Sequence, residues 1–172
     1  MSAYPIRAAT LKDVRPVAEI HVAAWQAAYR GVLGEEQLGI VTVERRQAFW
    51  RDAIDLAEPQ LLVATEGQQV VGFVAFDRSR DKGSPQATGE LWALYAAPAR
   101  WGSGIGQALW QGAREGLLEE GCSEVTLWLP LHNERALRFC AAAGFERDPG
   151  SQRAVDVAGA RVQEIRLRRA TA

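Results

Sequence analysis

Gly102, Gly104 and Gly106 alternate with Ser103 and Ile105 inside residues 100–109. Alternating glycines let the backbone curl so that successive N–H groups aim at one point. Residues 90–96 just before read as a strand, and residues 105–118 just after read as a helix. The point of convergence is therefore a helix N-terminus, where the peptide dipoles favour an anion. The chemistry implied is a cradle for a phosphate or pyrophosphate. Two familiar phosphate motifs fail on spacing. A Walker loop ends in Gly-Lys-Ser/Thr, but Gln107 follows Gly106 here. A dinucleotide fingerprint needs glycine where this chain has Gln107 or Leu109. The remaining alternative to a cradle is a tight turn with no ligand.

A second motif lies downstream: Asn133-Glu134-Arg135-Ala136-Leu137-Arg138-Phe139-Cys140, then Gly144-Phe145. The two motifs, in this order and separation, resemble the GNAT superfamily of acyl-CoA N-acyltransferases. That family carries Gln/Arg-x-x-Gly-x-Gly/Ala after a splayed strand, then a helix with Asn-x-x-Ala-x-x-Phe-Tyr. The resemblance runs from about Ile6 to Ile165 and is strongest between Gly89 and Phe145. It departs at two places. Trp101 stands where the loop usually begins with Gln or Arg, and Arg100 lies one residue earlier. Cys140 stands where many members carry the tyrosine assigned as acid for the departing thiolate.

The resemblance implies an acetyl-CoA-dependent N-acetyltransferase acting on a primary amine of a small molecule or peptide, in a ternary complex. A non-catalytic acyl-CoA-binding module is the alternative. The loop residues Trp101, Gly102, Ser103, Gly104, Ile105 and Gly106 would hold the pyrophosphate. Leu94, Tyr95 and Ala96 would run beside the pantetheine arm, bonding it like an added strand. Asn133 would bond the same arm, or simply cap its helix.

An amine attacks a thioester only as the free base, and an ammonium near pKa ~10.4 must lose a proton first. Such a site needs a base, an oxyanion donor and an acid. Glu90, at the position of the base in the histone-acetylating branch, is the base candidate; its other reading is a surface glutamate at a strand start. The Leu94 N–H is the oxyanion donor that the splayed strand would free. Cys140 is either the acid, with a thiol pKa of about 8.5 close to that of the thiolate it would protonate, or a small buried packing residue. Tyr29 or solvent is the other donor. Trp25 and Tyr29, one helical turn apart, together with Trp92 would wall the acceptor site, where aromatic faces attract a cationic amine. Core packing is the competing reading, more so for Trp25. His21 reads as a hydrogen-bonded core histidine and His132 as exposed. Trp50, Trp110 and Trp128 read as packing residues.

The elements that must position these groups follow from periodicity. Residues 4–8 form a short strand. Thr10, with Asp13 three residues on, opens a helix whose apolar face is Val14, Val17, Ala18, His21, Trp25 and Ala28. Gly31 and Gly34 break it, and Thr42 caps a second helix over 43–57. Residues 61–65 and 70–76 make a hairpin around Glu66-Gly67. Residues 78–88 form a polar loop, the candidate mobile segment. After strand 90–96 and the glycine loop, Ile105, Leu109, Ala113 and Leu117 define a buried helix face, and Gly121 closes it. A strand at 124–129, a helix at 133–143 closed by Gly144, and a hairpin of 154–157 with 161–167 complete the chain. The order predicts one α/β (α+β) domain over 1–172, a mixed sheet flanked by helices. The resemblance adds the splayed central pair, with acyl-CoA between the strands starting at Glu90 and Glu124.

Composition sets the outer limits. Apolar residues make up 48% and charged residues 24% of 172, ordinary for a soluble domain with a substantial core. A net charge of −1 gives no field toward nucleic acid or anionic membrane. Cys122, Cys140, His21 and His132 lack metal-ligand spacing, so no metal is expected. Sparse cysteine and a start, Met1 to Arg7, with no apolar signal segment fit a cytoplasmic protein. A homodimer is left open.

Overall fold

Strands with alternating apolar residues join into one eight-stranded mixed sheet across residues 4–172, the part of the chain that the computed structural model describes. Met1, Ser2 and Ala3, part of the stretch read as lacking a signal segment, lie outside the described residues. The strands are β1 (Ile6–Ala8), β2 (Gln60–Glu66), β3 (Gln69–Arg78), β4 (Thr88–Ala96), β5 (Glu124–Pro130), β6 (Glu146–Arg147), β7 (Arg153–Val157) and β8 (Ala160–Ala170). Their order is β1-β2-β3-β4-β5-β8-β6, with β7 also on β8. Among the strands of the described residues, only β4 and β5 pair in parallel; the other strand pairings are antiparallel.

The helices are α1 (Val14–Tyr29), α2 (Glu35–Leu38), α3 (Val43–Leu56), α4 (Ile105–Glu119) and α5 (Glu134–Ala142). The expected face of α4, Ile105, Leu109, Ala113 and Leu117, is buried on one side of the sheet against Val74, Phe76 and Leu91. On the other side α1 and α3 place Val17, Ala18, Trp50 and Ala53 against Val63, Phe73 and Ala75. A third cluster joins Trp25 and Tyr29 to Leu33, Leu38 and Val162, tying the end of α1 to β8. Gly72 sets how closely the start of α4 approaches β3, because a Cβ there would lie 2.7 Å from Ile105 Cγ2.

The caps read from sequence are present. Asp13 accepts from the Thr10 N–H at 2.8 Å, Thr42 Oγ1 accepts from the Arg45 N–H, and Asn133 Oδ1 accepts from the Ala136 N–H. The elements α2 and β6 had no sequence signal, being too short to show a period. The segment between β3 and β4, expected as a mobile polar loop, is tied down by side-chain bonds: Trp128 Nε1 and Arg166 both donate to Asp81, and Ser79 bonds Ser84. Among the described residues no helix is long and apolar enough to cross a membrane, and no group of three or more His, Cys, Asp or Glu is placed to hold a metal.

Candidate active site

Only three parallel rungs join β4 to β5: Thr88 with Glu124, Gly89 with Val125, and Glu90 with Thr126. Beyond Glu90 the strands separate, β4 staying with β3 to Ala96 and β5 with β8 to Pro130. The cause is local. Ala75 pairs Ala93 while Phe76 pairs Leu91, so Trp92 is an extra residue, a bulge that bends β4 away. The free edge of β4 then faces the gap. The Ala97 N–H bonds Val71 O, which makes Gly72–Ala96 and Val74–Leu94 the non-hydrogen-bonded pairs of the ladder. The N–H and C=O groups of Leu94 and Ala96 therefore point away from β3, into the gap.

One end of the gap is a groove of about 320 Å³ that includes Leu94, Tyr95, Ala96, Trp101 and the glycine turn. Gly102 and Gly104 have φ of +81° and +92°, a left-handed backbone that side chains resist. A Cβ on either would meet nothing within 4 Å, so open space lies over the turn. The first helical bond of α4 runs from the Ala108 N–H to Gly104 O, leaving the N–H groups of Ile105, Gly106 and Gln107 without helix partners. This geometry fits a pyrophosphate. Ser103 does not line the groove; its hydroxyl bonds back to Arg100 O. Arg100 lines it while ion-paired to Glu66. Trp101 has a defined task of its own. Its indole donates to Ala96 O at 3.0 Å, and the Arg135 guanidinium lies 3.5 Å over its ring.

The other end is a cavity of about 260 Å³, sharing Leu94, Tyr95, Arg135, Ala136 and Phe139 with the groove. Trp25, Tyr29, Trp92, Asn133 and Cys140 all line it. Asn133 uses Oδ1 as the helix cap, which leaves its amide N–H groups for another partner. Cys140 sits among apolar residues with Trp110, Phe145 and Leu127, and burial pushes its thiol up to about 12. The close pKa match behind the acid reading is therefore absent. Burial, with lesser contributions from Tyr95 and Glu164, raises Tyr29 to about 12 as well. No described residue accepts from the Tyr29 hydroxyl, so that neutral phenol keeps its proton to donate. Beneath, His21 accepts from Trp50 Nε1 at 3.1 Å and stacks on Tyr95 at 5.0 Å. Burial drives its pKa down to about 3, consistent with a neutral core histidine. His132 is exposed and touches the edge of the Tyr29 ring at 5.2 Å.

Glu90 is not on the surface: it is 2% exposed. It also lies outside the lining of both spaces. Its carboxylate is held by Arg80, whose backbone N–H reaches Oε1 at 2.9 Å and whose guanidinium reaches Oε2 at 2.6 Å. Arg80 in turn lies 4.1 Å over the Trp92 ring. Any proton moving from the cavity to Glu90 must travel through water.

Several residues of the site carried no sequence signal. Trp128, read as packing, is half-buried and lines the cavity, with Arg153 stacked 3.5 Å above it. Glu164 lines the cavity too, on β8 between Val162 and Arg166 along one face of the strand. Its only clue was alternation with Ile165 and Leu167, which gives a face but not a neighbour. Arg135, two residues after Asn133 on a helix already singled out, was the most findable.

The chain matches the Acetyltransferase (GNAT) family over residues 14–145. A protein of Bacillus subtilis strain 168 named uncharacterized N-acetyltransferase YuaI is 26% identical over 164 residues, which is 94% of this chain and 90% of that one. The PaiA N-acetyltransferase of Thermoplasma acidophilum, solved with coenzyme A, superposes with a TM-score of 0.76 at 19% identity, covering 99% of both chains. A phosphinothricin acetyltransferase of Sinorhizobium meliloti, solved with acetyl-CoA, gives 0.75 at 19% identity, covering 98% of this chain and 89% of that one. At such identities these two structures speak to the fold alone.

Proposed function

The chain belongs to the GNAT family of acetyltransferases, and from that premise we propose that it moves the acetyl group of acetyl-CoA directly to a primary amine bound beside it. The observation that carries this reading is continuity. A left-handed glycine turn at a helix start opens onto a free strand edge, and that edge leads into an aromatic cavity. Acetyl-CoA supplies the thioester. The turn at Gly102, Gly104, Ile105 and Gly106 receives the pyrophosphate through backbone N–H groups. Trp101 holds Arg135 over the same groove, adding a cation from α5 where other family members place one in the loop. The edge of β4 at Ala96 and the amide of Asn133 hold the pantetheine arm.

In the transfer itself a C–N bond forms, the C–S bond breaks, the amine gives up a proton and the sulfur takes one. The Leu94 N–H, freed by the bulge at Trp92, donates to the oxygen that becomes negative. Trp25, Tyr29 and Trp92 wall the amine. Glu90 takes the proton by way of water, and the loop residue Arg80 keeps its carboxylate in place. With Cys140 pushed up to about 12, the proton for sulfur comes from Tyr29 or solvent, and Cys140 shapes the wall.

Calorimetric titration with acetyl-CoA, followed by release of free CoA thiol against a panel of amines, tests the reading. Binding together with amine-dependent release is expected. Binding without release from any amine would favour the non-catalytic acyl-CoA-binding module, and no binding would remove both.

A further inference from the structure

The wall of the cavity away from the glycine turn is built from residues of α1, β4, β5 and β8, and charged groups surround it. Three arginines outside the lining contact it through Trp92, Trp128 and Glu164, each already facing a carboxylate. Arg80 pairs Glu90, Arg153 pairs Glu164, and Arg166 pairs both Asp81 and Asp148. Four carboxylates thus meet these three guanidinium groups; Arg135, which does line the cavity, lies over Trp101 at the end shared with the groove. Of the four, only Glu164 lines the cavity. Its side chain is 13% exposed. Arg153 brings both Nε and a terminal nitrogen to the same oxygen, Oε1, at 2.7 Å. Among the described residues no donor reaches Oε2. A half-paired carboxylate in the wall of a cavity invites a cation, since a charged donor there makes a charge-assisted bond.

The surroundings say what carries that cation. The Trp25 and Tyr29 rings lie 4.9 Å apart at a 33° tilt, and Trp128 is held beneath Arg153. Such faces suit a ring or another flat apolar body, and they add attraction for an ammonium. The space is about 260 Å³ and also borders the groove, so the occupant is small.

On the reading that this chain transfers an acetyl group, we propose that Glu164 is the specificity-determining residue of the acceptor site, and that the acceptor is a compact monocationic primary amine on a flat apolar body. Glu164 Oε2 receives the ammonium, and the aromatic walls hold the body. An amine that also bears a carboxylate is disfavoured, because Glu164 repels it and the lining cation Arg135 lies over Trp101 at the end shared with the groove.

The test uses phenethylamine and phenylalanine, which share ring and amine and differ by a carboxylate, with wild type and Glu164→Gln. Acetyl-CoA affinity is measured on both proteins by calorimetry, and CoA thiol release gives kcat and KM. Wild type is expected to favour phenethylamine by tenfold or more in kcat/KM. In Glu164→Gln the KM for phenethylamine rises tenfold or more, while kcat and acetyl-CoA affinity stay within twofold. Glu164→Asp recovers part of the KM. An unchanged KM in Glu164→Gln, a loss in kcat alone, a wild-type preference for phenylalanine, or acetyl-CoA binding with neither amine acetylated would each overturn the assignment. Failure of wild type to bind acetyl-CoA would instead remove the transfer reading, and the assignment with it.

Discussion

The groove at the glycine turn and the cavity at Glu164 are two halves of one gap, yet they are made of different material. The groove is mostly backbone: the edge of β4, the turn at Gly102 and Gly104, and the first N–H groups of α4. Most of it comes from residues 94–107, one continuous stretch of chain, with one side closed by Arg135, Ala136, Phe139 and Ala142. The cavity is mostly side chains, gathered from residues as far apart as Trp25, Trp92, Trp128 and Glu164. Backbone recognition is indifferent to side-chain identity except where glycine is required. Side-chain recognition can be altered one residue at a time. The same fold can therefore keep its donor while the acceptor changes, which is how one scaffold hosts many activities.

If the division holds, substitutions in the cavity change kcat or the acceptor KM, and substitutions in the groove change acetyl-CoA affinity. The largest effect is expected from Glu90→Gln, outside the lining of both halves, which removes a proton acceptor with little change of shape. Turnover should fall by about a hundredfold, the scale of general base catalysis, with acetyl-CoA affinity kept. A wild-type pH–rate profile in this variant would assign the proton to solvent alone. Gly104→Val is next, because it forces a β-branched residue into a φ of +92° and fills the open space over the turn. Acetyl-CoA affinity should drop by tenfold or more, about 1.4 kcal/mol. Intact affinity in a folded variant would break the backbone half of the comparison.

Arg135→Ala should weaken acetyl-CoA binding only a few-fold, about 0.5–1 kcal/mol for one exposed cation over an indole. Trp101→Ala should add little to it, since the stacked pair acts as a unit; full additivity in a double-mutant cycle would show that the pair does not matter. Cys140→Ala should have the smallest effect on catalysis, turnover within about twofold and a stability loss of about 1 kcal/mol from a small cavity. A thiol pushed up to about 12 should also resist iodoacetamide at neutral pH with or without CoA. Strong CoA protection of a reactive Cys140, together with slow turnover in the alanine variant, would return it to the role of acid.

The legibility of the two halves differs for the same physical reason. The order of strands and helices, the caps at Thr10, Thr42 and Asn133, and the buried face of α4 follow from periods and hydrogen-bonding chemistry within a few residues of each position. The glycine turn belongs to that class, since its function is written in φ angles that only glycine adopts easily. Tertiary structure decided the rest. The bulge at Trp92 is a property of β4 against β3, and without it the strands would have no gap between them. Arg80 closes over Glu90 because the segment between β3 and β4 folds back, a contact that strand alternation does not encode. Burial moved Cys140 from a plausible acid to a thiol that keeps its proton, a matter of which apolar residues surround α5. Trp128 and Glu164 look like ordinary members of alternating strands until β7 and β8 carry Arg153 and Glu164 around to the end of α1. The sequence by itself determined the glycine turn of the donor half, because its backbone conformation is local. Only the fold decided the acceptor half, because a side-chain pocket exists only where distant segments meet.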